Sequence, residues 1–260
     1  MKNGRLKTGR FVRNIALIVA SGCLLSDFGL RAADPPPDLL RKVAEREKAS
    51  SQARDNYTYR QVLSMQEFDT QGKNVGEYHE TRDVIYSPEK GRSEVVVGKT
   101  ANTLTRVKLT PEDFSDVRNV ASLLLTPEKA SLYEGQYKGE ETMDGERCFV
   151  EFIKPRQILA GQRFFEGMLW VRESDLSVVR SEGKAVPQIE STQEENLFPH
   201  FTTIRKLIDK QWWFPVRTYA DDTLFFRNWP QRIRLSIEYS NYRRFGSEST
   251  VTYGAEPPRN

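Results

Sequence analysis

The sequence predicts a mainly β protein with a few helices, built on one antiparallel sheet that is large enough to curl. Three observations predict this class. About ten segments of the 260-residue chain alternate apolar and polar residues with a period of two, as half-buried strands do. Short turn sequences rich in Gly, Pro, Asp and Ser separate most of these segments. Helix signals occur at few places and not between successive strands, so parallel crossovers are not expected.

The first 33 residues have the anatomy of a secretory signal peptide. Five Lys and Arg residues precede an apolar stretch at residues 15–25, and a pair of alanines precedes three prolines. We therefore expect that residues 1–33 are cleaved and that the protein is exported to the periplasm. The alternative is a lipobox at residues 20–23, in which Cys23 is acylated and anchors the protein to the outer membrane.

The leader also determines the charge of the chain. It holds six Lys or Arg and one Asp, so its removal changes the formal net charge from +3 to −2. A domain without excess positive charge lacks the electrostatic footprint of nucleic-acid binding, so we expect no DNA or RNA partner. Membrane contact should be peripheral or through the anchor. We expect a monomer with one domain at residues 34–250 and a flexible tail at residues 251–260.

The first elements are a helix and a group of hairpins. Residues 38–53 should form a helix, because three prolines precede it, Asp38 can cap it and its apolar residues share one face. From Tyr57 the period changes to two. Extended segments at residues 57–65, 76–86 and 93–97 are separated by two turns, which predicts a meander.

A helical pair should interrupt the sheet at residues 111–133. Thr110-Pro111-Glu112-Asp113 is a strong helix start, with a Thr cap, Pro at the first position and acids in the first turn. Thr126-Pro127-Glu128 repeats this signal. Further strands then follow at residues 135–143, 147–154, 162–172, 177–184, 201–208, 212–219 and 232–242. Helices laid on the concave side of a curled sheet would cover an interior that is either packed or left as a cleft.

The hairpin at residues 165–183, with Gly167 and Trp170 in its first strand, resembles that of the periplasmic lipoprotein carriers and outer-membrane lipoprotein-sorting proteins. The resemblance to these proteins extends to the N-terminal helix, to the pair Tyr57 and Tyr59, and to the strand at residues 209–217. Among that group, uncharacterised exported bacterial proteins resemble the chain most, for example at residues 144–150. The resemblance implies an open half-barrel of about 9–11 strands, with the N-terminal helix and the helical pair covering its concave face. It also implies a hydrophobic cavity that takes the acyl chains of lipoproteins.

The leading hypothesis is therefore a non-enzymatic binding protein that holds a lipid or acyl chain. The alternative is an envelope interaction or sensor module with a packed core that binds a protein partner. Aromatic and aliphatic residues would form the cavity wall in the first case, although such residues are more often ordinary core. The candidate wall residues are Phe114, Val117, Leu124, Phe164, Met168, Trp170, Phe201 and Trp213.

Catalytic, metal and cofactor motifs are not recognised. His79 and His200 are far apart in the sequence, and Cys148 in a strand pattern is more often a buried apolar residue than a nucleophile. Asp221 and Asp222 are neighbours on an extended segment, so they should point to opposite faces, and a turn or a strand end is expected there. A hydrolase remains the third hypothesis. We expect no enzyme activity, no metal and no cofactor.

Overall fold

The computed structural model describes residues 35–87, 91–123, 125–190, 195–227 and 229–245. The predicted signal peptide with Cys23, the predicted tail at residues 251–260 and the wall candidate Leu124 lie outside the described residues.

Long antiparallel strands make up most of the fold. The strands are β1 Tyr57–Phe68, β2 Asn74–Ser87, β3 Gly91–Val96, β4 Ala101–Asn102, β5 Tyr133–Met143, β6 Glu146–Pro155, β7 Phe164–Arg172, β8 Val178–Val186, β9 Ile189–Glu190, β10 Glu195–Asn196, β11 Phe201–Ile208, β12 Trp212–Phe226 and β13 Trp229–Arg244. The helices are α1 Leu39–Arg54, α2 Pro111–Asp116, a π-helix at Val117–Ala121 and α3 Pro127–Ala130.

Eleven strands form one sheet in the order β3-β2-β1-β13-β12-β11-β8-β7-β6-β5, with β4 paired beside β2. All pairs are antiparallel, and β3 and β5 are the two ends of the order, so the sheet is curled but not closed into a barrel. Strands β9 and β10 form a separate two-stranded ladder. The predicted fold class is confirmed. Among the described residues, no helix is long and apolar enough to cross a membrane.

The helix starts follow the predicted capping chemistry at two of three positions. The Thr110 hydroxyl accepts from the backbone N–H of Asp113, and the Asp113 carboxylate accepts from the N–H of Thr110, which completes a capping box. The Thr126 hydroxyl accepts from the N–H of Lys129. The prediction that the Asp38 side chain caps α1 is wrong, because Asp38 has a left-handed φ of 59° and makes no capping hydrogen bond.

The helices cover one face of the sheet, and the main core lies between the helices and that face. Val43 and Ala44 of α1 and Val120 of the π-helix join Leu169 and Ile233 of the sheet in one buried cluster. We call α1, α2, the π-helix and α3 the helical cover. A second, smaller cluster contains Cys148, Val150, Trp170 and Val179, with Met143, Met168 and Trp213 packed against it. Because Leu169 and Trp170 are consecutive in β7, their side chains leave opposite faces, and the second cluster lies on the face away from the cover.

The sequence prediction of a turn or strand end at Asp221 and Asp222 is wrong. Both lie inside β12, which continues to Phe226. The Asp221 carboxylate accepts from Arg232 and Arg234 of β13. These cross-strand ion pairs explain why Asp221 is accommodated inside a strand, and the Asp222 carboxylate accepts from the backbone N–H of His200.

Candidate functional site

An open groove lies between the helical cover and the β5–β6 end of the sheet. Its volume is about 530 Å³. Apolar side chains form most of its wall, contributed by the segment before α1, by α1, by α3 and by β5. They are Pro35, Pro36, Leu39, Leu40, Pro127, Ala130, Tyr133 and Tyr137. We call this space the α1–β6 groove.

A buried carboxyl group lies in this groove. Glu151 of β6 is only 6% exposed, and among the described residues its Oε2 has no hydrogen-bond partner. It follows from strand alternation that Glu151 shares the core side of β6 with Phe149 and Ile153, both members of the main cluster. Loss of contact with water on burial raises the pKa of the Glu151 carboxyl to about 7.

A glycine makes room for this carboxyl group. Gly135 of β5 also lines the groove, and a Cβ atom at that position would lie 2.0 Å from Oε1 of Glu151 and 3.4 Å from Cδ2 of Leu40. Any larger residue at position 135 would therefore occupy the space of the carboxylate. The pair Gly135 and Glu151 was missed by the sequence analysis, although a glutamate at a core-facing position of an alternating strand is a usable signal.

The interior under the helical cover is nearly filled. Phe114 and Val117 line a cavity of about 20 Å³ together with Leu63, Leu197 and Leu235. Such a space holds about one water molecule and no acyl chain. This cavity is too small for a ligand, whereas the α1–β6 groove at the edge of the cover has a volume of about 530 Å³.

Arg205 of β11 joins the sheet to the cover from within. Its guanidinium donates to both carboxylate oxygens of Glu47 in α1, each at 2.8 Å, and both side chains are about 3% exposed. The other terminal nitrogen donates to the carbonyl oxygens of Leu123 at 2.8 Å and Ser122 at 3.3 Å. Thr203, two residues earlier on the same face, donates to the carbonyl of Ala121 at 2.7 Å. Two side chains of one strand thus satisfy the carbonyls at the end of the π-helix.

A second polar connection holds α2. The Asp116 carboxylate lies 2.9 Å from the Arg163 guanidinium, and Arg163 also donates to the side chain of Asn196 at 2.9 Å. The Asn196 amide in turn donates to the hydroxyl of Thr110 at the start of α2. Burial raises the pKa of Asp116 to about 7 although Arg163 acts to lower it. Buried polar groups therefore hold both the start of α2 and the end of the π-helix.

The structure divides the predicted wall residues between two faces. Phe164 and Phe201 belong to the main cluster, as does Val117, and Phe114 packs against that cluster. Met168, Trp170 and Trp213 belong to the outer cluster. There the guanidinium of Arg180 lies 4.7 Å from the Trp170 ring, so cations cover this face. One cavity cannot contain both groups, and none of the described candidates lines the α1–β6 groove. Their role in ligand binding stays a prediction.

The other candidate side chains lie in separate surroundings and do not form a common site. His79 contacts the Ser64 hydroxyl at 3.0 Å, and the His200 backbone N–H donates to Asp222. Cys148 is fully buried, and burial together with Glu146 and Glu173 raises the pKa of its thiol to about 11. Within the described ranges, no group of three His, Cys, Asp or Glu side chains is arranged to hold a metal ion.

Comparison with known proteins gives structural matches alone. No protein-family model matches the chain, and no curated protein does. A DUF1329 family protein from Desulfovibrio piger is similar, with 16% identity over 84% of this chain and 96% of that one, at a TM-score of 0.39. An outer membrane lipoprotein-sorting protein domain from Vibrio parahaemolyticus has 10% identity over 81% and 94%, at a TM-score of 0.37. A LolA superfamily protein from Nitrosomonas europaea has 15% identity over 82% and 95%, at a TM-score of 0.35. Two of these structures are lipoprotein-sorting or LolA superfamily proteins, the group that the sequence resembles.

Proposed function

We propose that this chain is an exported, non-enzymatic binding protein that holds a lipid or acyl chain in the α1–β6 groove. The observation that carries the proposal is the groove itself. A volume of about 530 Å³ falls within the range of about 300–1,000 Å³ that is usual for small-molecule sites. Leu39, Leu40 and Pro127 present apolar surface, so each CH₂ group buried there would contribute about 0.8 kcal/mol.

The filled interior favours the groove as the ligand site rather than the space beneath the cover. Phe114, Val117 and Phe201 would face a chain only if the helical cover moved away from the sheet. Arg205 and Thr203 oppose such a movement, because their buried hydrogen bonds to the cover would be broken. The groove needs no such movement, since it is already open.

Native mass spectrometry of the protein purified from its own envelope tests the proposal. We expect a co-purifying lipid on the wild-type protein. Ser131→Trp places an indole in the groove from the exposed end of α3 and should remove the lipid. Lys129→Trp is the matched control, since Lys129 is exposed on α3 but does not line the groove. Equal lipid occupancy in all three proteins, or none in the wild type, contradicts the proposal.

The edge of the sheet favours a second candidate function, binding of an extended segment of an envelope protein. β3 ends the strand order, and Val95 and Val96 on its two faces are 51% and 48% exposed. An edge strand that ends in two exposed valines offers backbone hydrogen bonds and side-chain contacts to an added strand. In this case Val96→Lys should abolish a complex that Val75→Lys on β2 leaves intact. Chemical crosslinking in isolated envelopes distinguishes the two variants.

A further inference from the structure

We propose that Glu151 is a head-group subsite of the α1–β6 groove and selects a lipid that carries a primary ammonium group. The inference rests on the proposed function, because it assigns the polar end of a ligand whose apolar end the groove already accommodates. It adds the chemical class of that ligand.

The position of Glu151 requires an explanation that the fold does not provide. A carboxyl group that is 94% buried is normally paired or accepts hydrogen bonds, since an unpartnered polar group costs stability. Two other buried carboxylates follow the rule: Glu47 binds Arg205, and Glu67 accepts from the backbone N–H groups of Thr105 and Val107. Among the described residues, Oε2 of Glu151 is left without a partner.

The surroundings of Glu151 form a site rather than a packing fault. Gly135 leaves the space that the carboxylate occupies, and both residues line the open groove. Arg41, which also lines the groove, lies beside Asp38 at 3.8 Å, so its charge is partly compensated. A ligand donor can therefore reach Glu151 from the groove while its chain lies against the leucines of α1.

Among possible head groups, a primary ammonium should interact most strongly with the Glu151 carboxylate. It supplies both the charge and the N–H donors that a buried carboxylate lacks, and charge-assisted hydrogen bonds are about twice as strong as neutral ones. A hydroxyl head supplies a donor without charge. A carboxylate head would be repelled, so a fatty acid should bind worst.

The test compares three ten-carbon probes below their aggregation concentrations by isothermal titration calorimetry at pH 8. Decylammonium should bind the wild-type protein at least ten-fold more tightly than decanol, and decanoate should bind most weakly. Glu151→Gln should abolish the preference for decylammonium over decanol. Glu166→Gln, which makes the same change in charge on β7 outside the groove, should retain the preference.

The outcomes separate this inference from the proposed function. Equal binding of decylammonium and decanol to the wild-type protein overturns the role of Glu151 while chain binding stands. Failure of every probe to bind overturns both. If Glu151→Gln does not fold, the wild-type protein alone decides. Its preference for decylammonium should be at least three-fold greater at pH 8 than at pH 5, because Glu151 is ionised at the higher pH. The other charged groups that line the groove are Asp38, Arg41 and Arg156.

A lipid head group is then distinguished from a simple amine. Lysophosphatidylethanolamine should bind more tightly than lysophosphatidylglycerol, since only the former has an ammonium group. The reverse order overturns the assignment to an ammonium lipid.

Discussion

Nη1 of Arg205 donates to both carboxylate oxygens of Glu47 in the interior, each at 2.8 Å, and both side chains are about 3% exposed. The pair connects β11 in the middle of the sheet to α1 in the helical cover. Arg205 also donates to the carbonyl groups of Ser122 and Leu123 at the end of the π-helix. One guanidinium thus holds two separate parts of the cover.

Glu47→Ala should lower the free energy of unfolding by about 3–5 kcal/mol, because it leaves the Arg205 charge buried without its partner. Urea denaturation measures the loss. The matched control is Asp83→Ala, which breaks an arginine–carboxylate pair at the surface, where Arg60 and Asp83 are 38% and 37% exposed. It should cost about 1 kcal/mol or less. Equal losses in the two variants would show that the buried pair has no special role.

Cys148 should be unreactive in the folded protein. The pKa of its thiol is raised to about 11, by burial first and by Glu146 and Glu173 next, and only the thiolate reacts. In a Cys23→Ser variant, Cys148 is the one remaining thiol of the chain. We expect labelling by a disulfide reagent at pH 8 to require unfolding, and to speed up in parallel with loss of tryptophan fluorescence in urea. Fast labelling without urea contradicts this.

Local signals predicted the elements well because their causes are local. Thr110 and Asp113 are three residues apart, and their capping box forms whatever the rest of the chain does. Period-two alternation likewise located the long strands. The length of β12 was underestimated, because Asp221 read as a turn residue. Its partners Arg232 and Arg234 are on the next strand, and sequence alone gives no register between them.

The site could not be predicted for a related reason. Alternation shows that Trp170 and Met168 share one side of β7, but it does not show which side the helices cover. The structure places both on the uncovered side, under arginines. The α1–β6 groove needs three segments that are distant in sequence, and the meeting of Leu40, Ala130 and Glu151 depends on how the cover lies on the sheet.

Gly135→Ala should destabilise the protein through Glu151. The new Cβ would lie 2.0 Å from Oε1 of Glu151, so the carboxyl group must move. We expect a loss of about 1–3 kcal/mol, which is usual for an overpacked interior. In a Glu151→Ala background the same substitution should cost much less, because the obstructing atoms are gone and Leu40 at 3.4 Å is in near-normal contact. Additive effects in this double-mutant cycle, measured by chemical denaturation, would place the strain elsewhere.

Glu151 should also make the stability of the protein depend on pH. The pKa of its carboxyl is about 7 in the folded protein against 4.5 as the ordinary value, and the cause is burial. The folded state therefore retains the proton that the unfolded chain releases. The contribution of this group to stability is complete below pH 4.5 and is lost as the pH rises to about 7, by about 3 kcal/mol in all.

Glu151→Gln removes this titration, so the variant should match the wild-type protein at pH 4.5 and exceed its stability at pH 8. The comparison isolates Glu151 because the other groups that line the groove, Asp38, Arg41, Tyr133 and Arg156, are the same in both proteins. Asp116, whose pKa is also raised to about 7, cancels for the same reason. Urea denaturation at four pH values gives the difference curve. A difference that does not change between pH 4.5 and 8 would mean that Glu151 is solvated or paired in solution, and the groove would then lack the unpaired carboxylate that an ammonium head group needs.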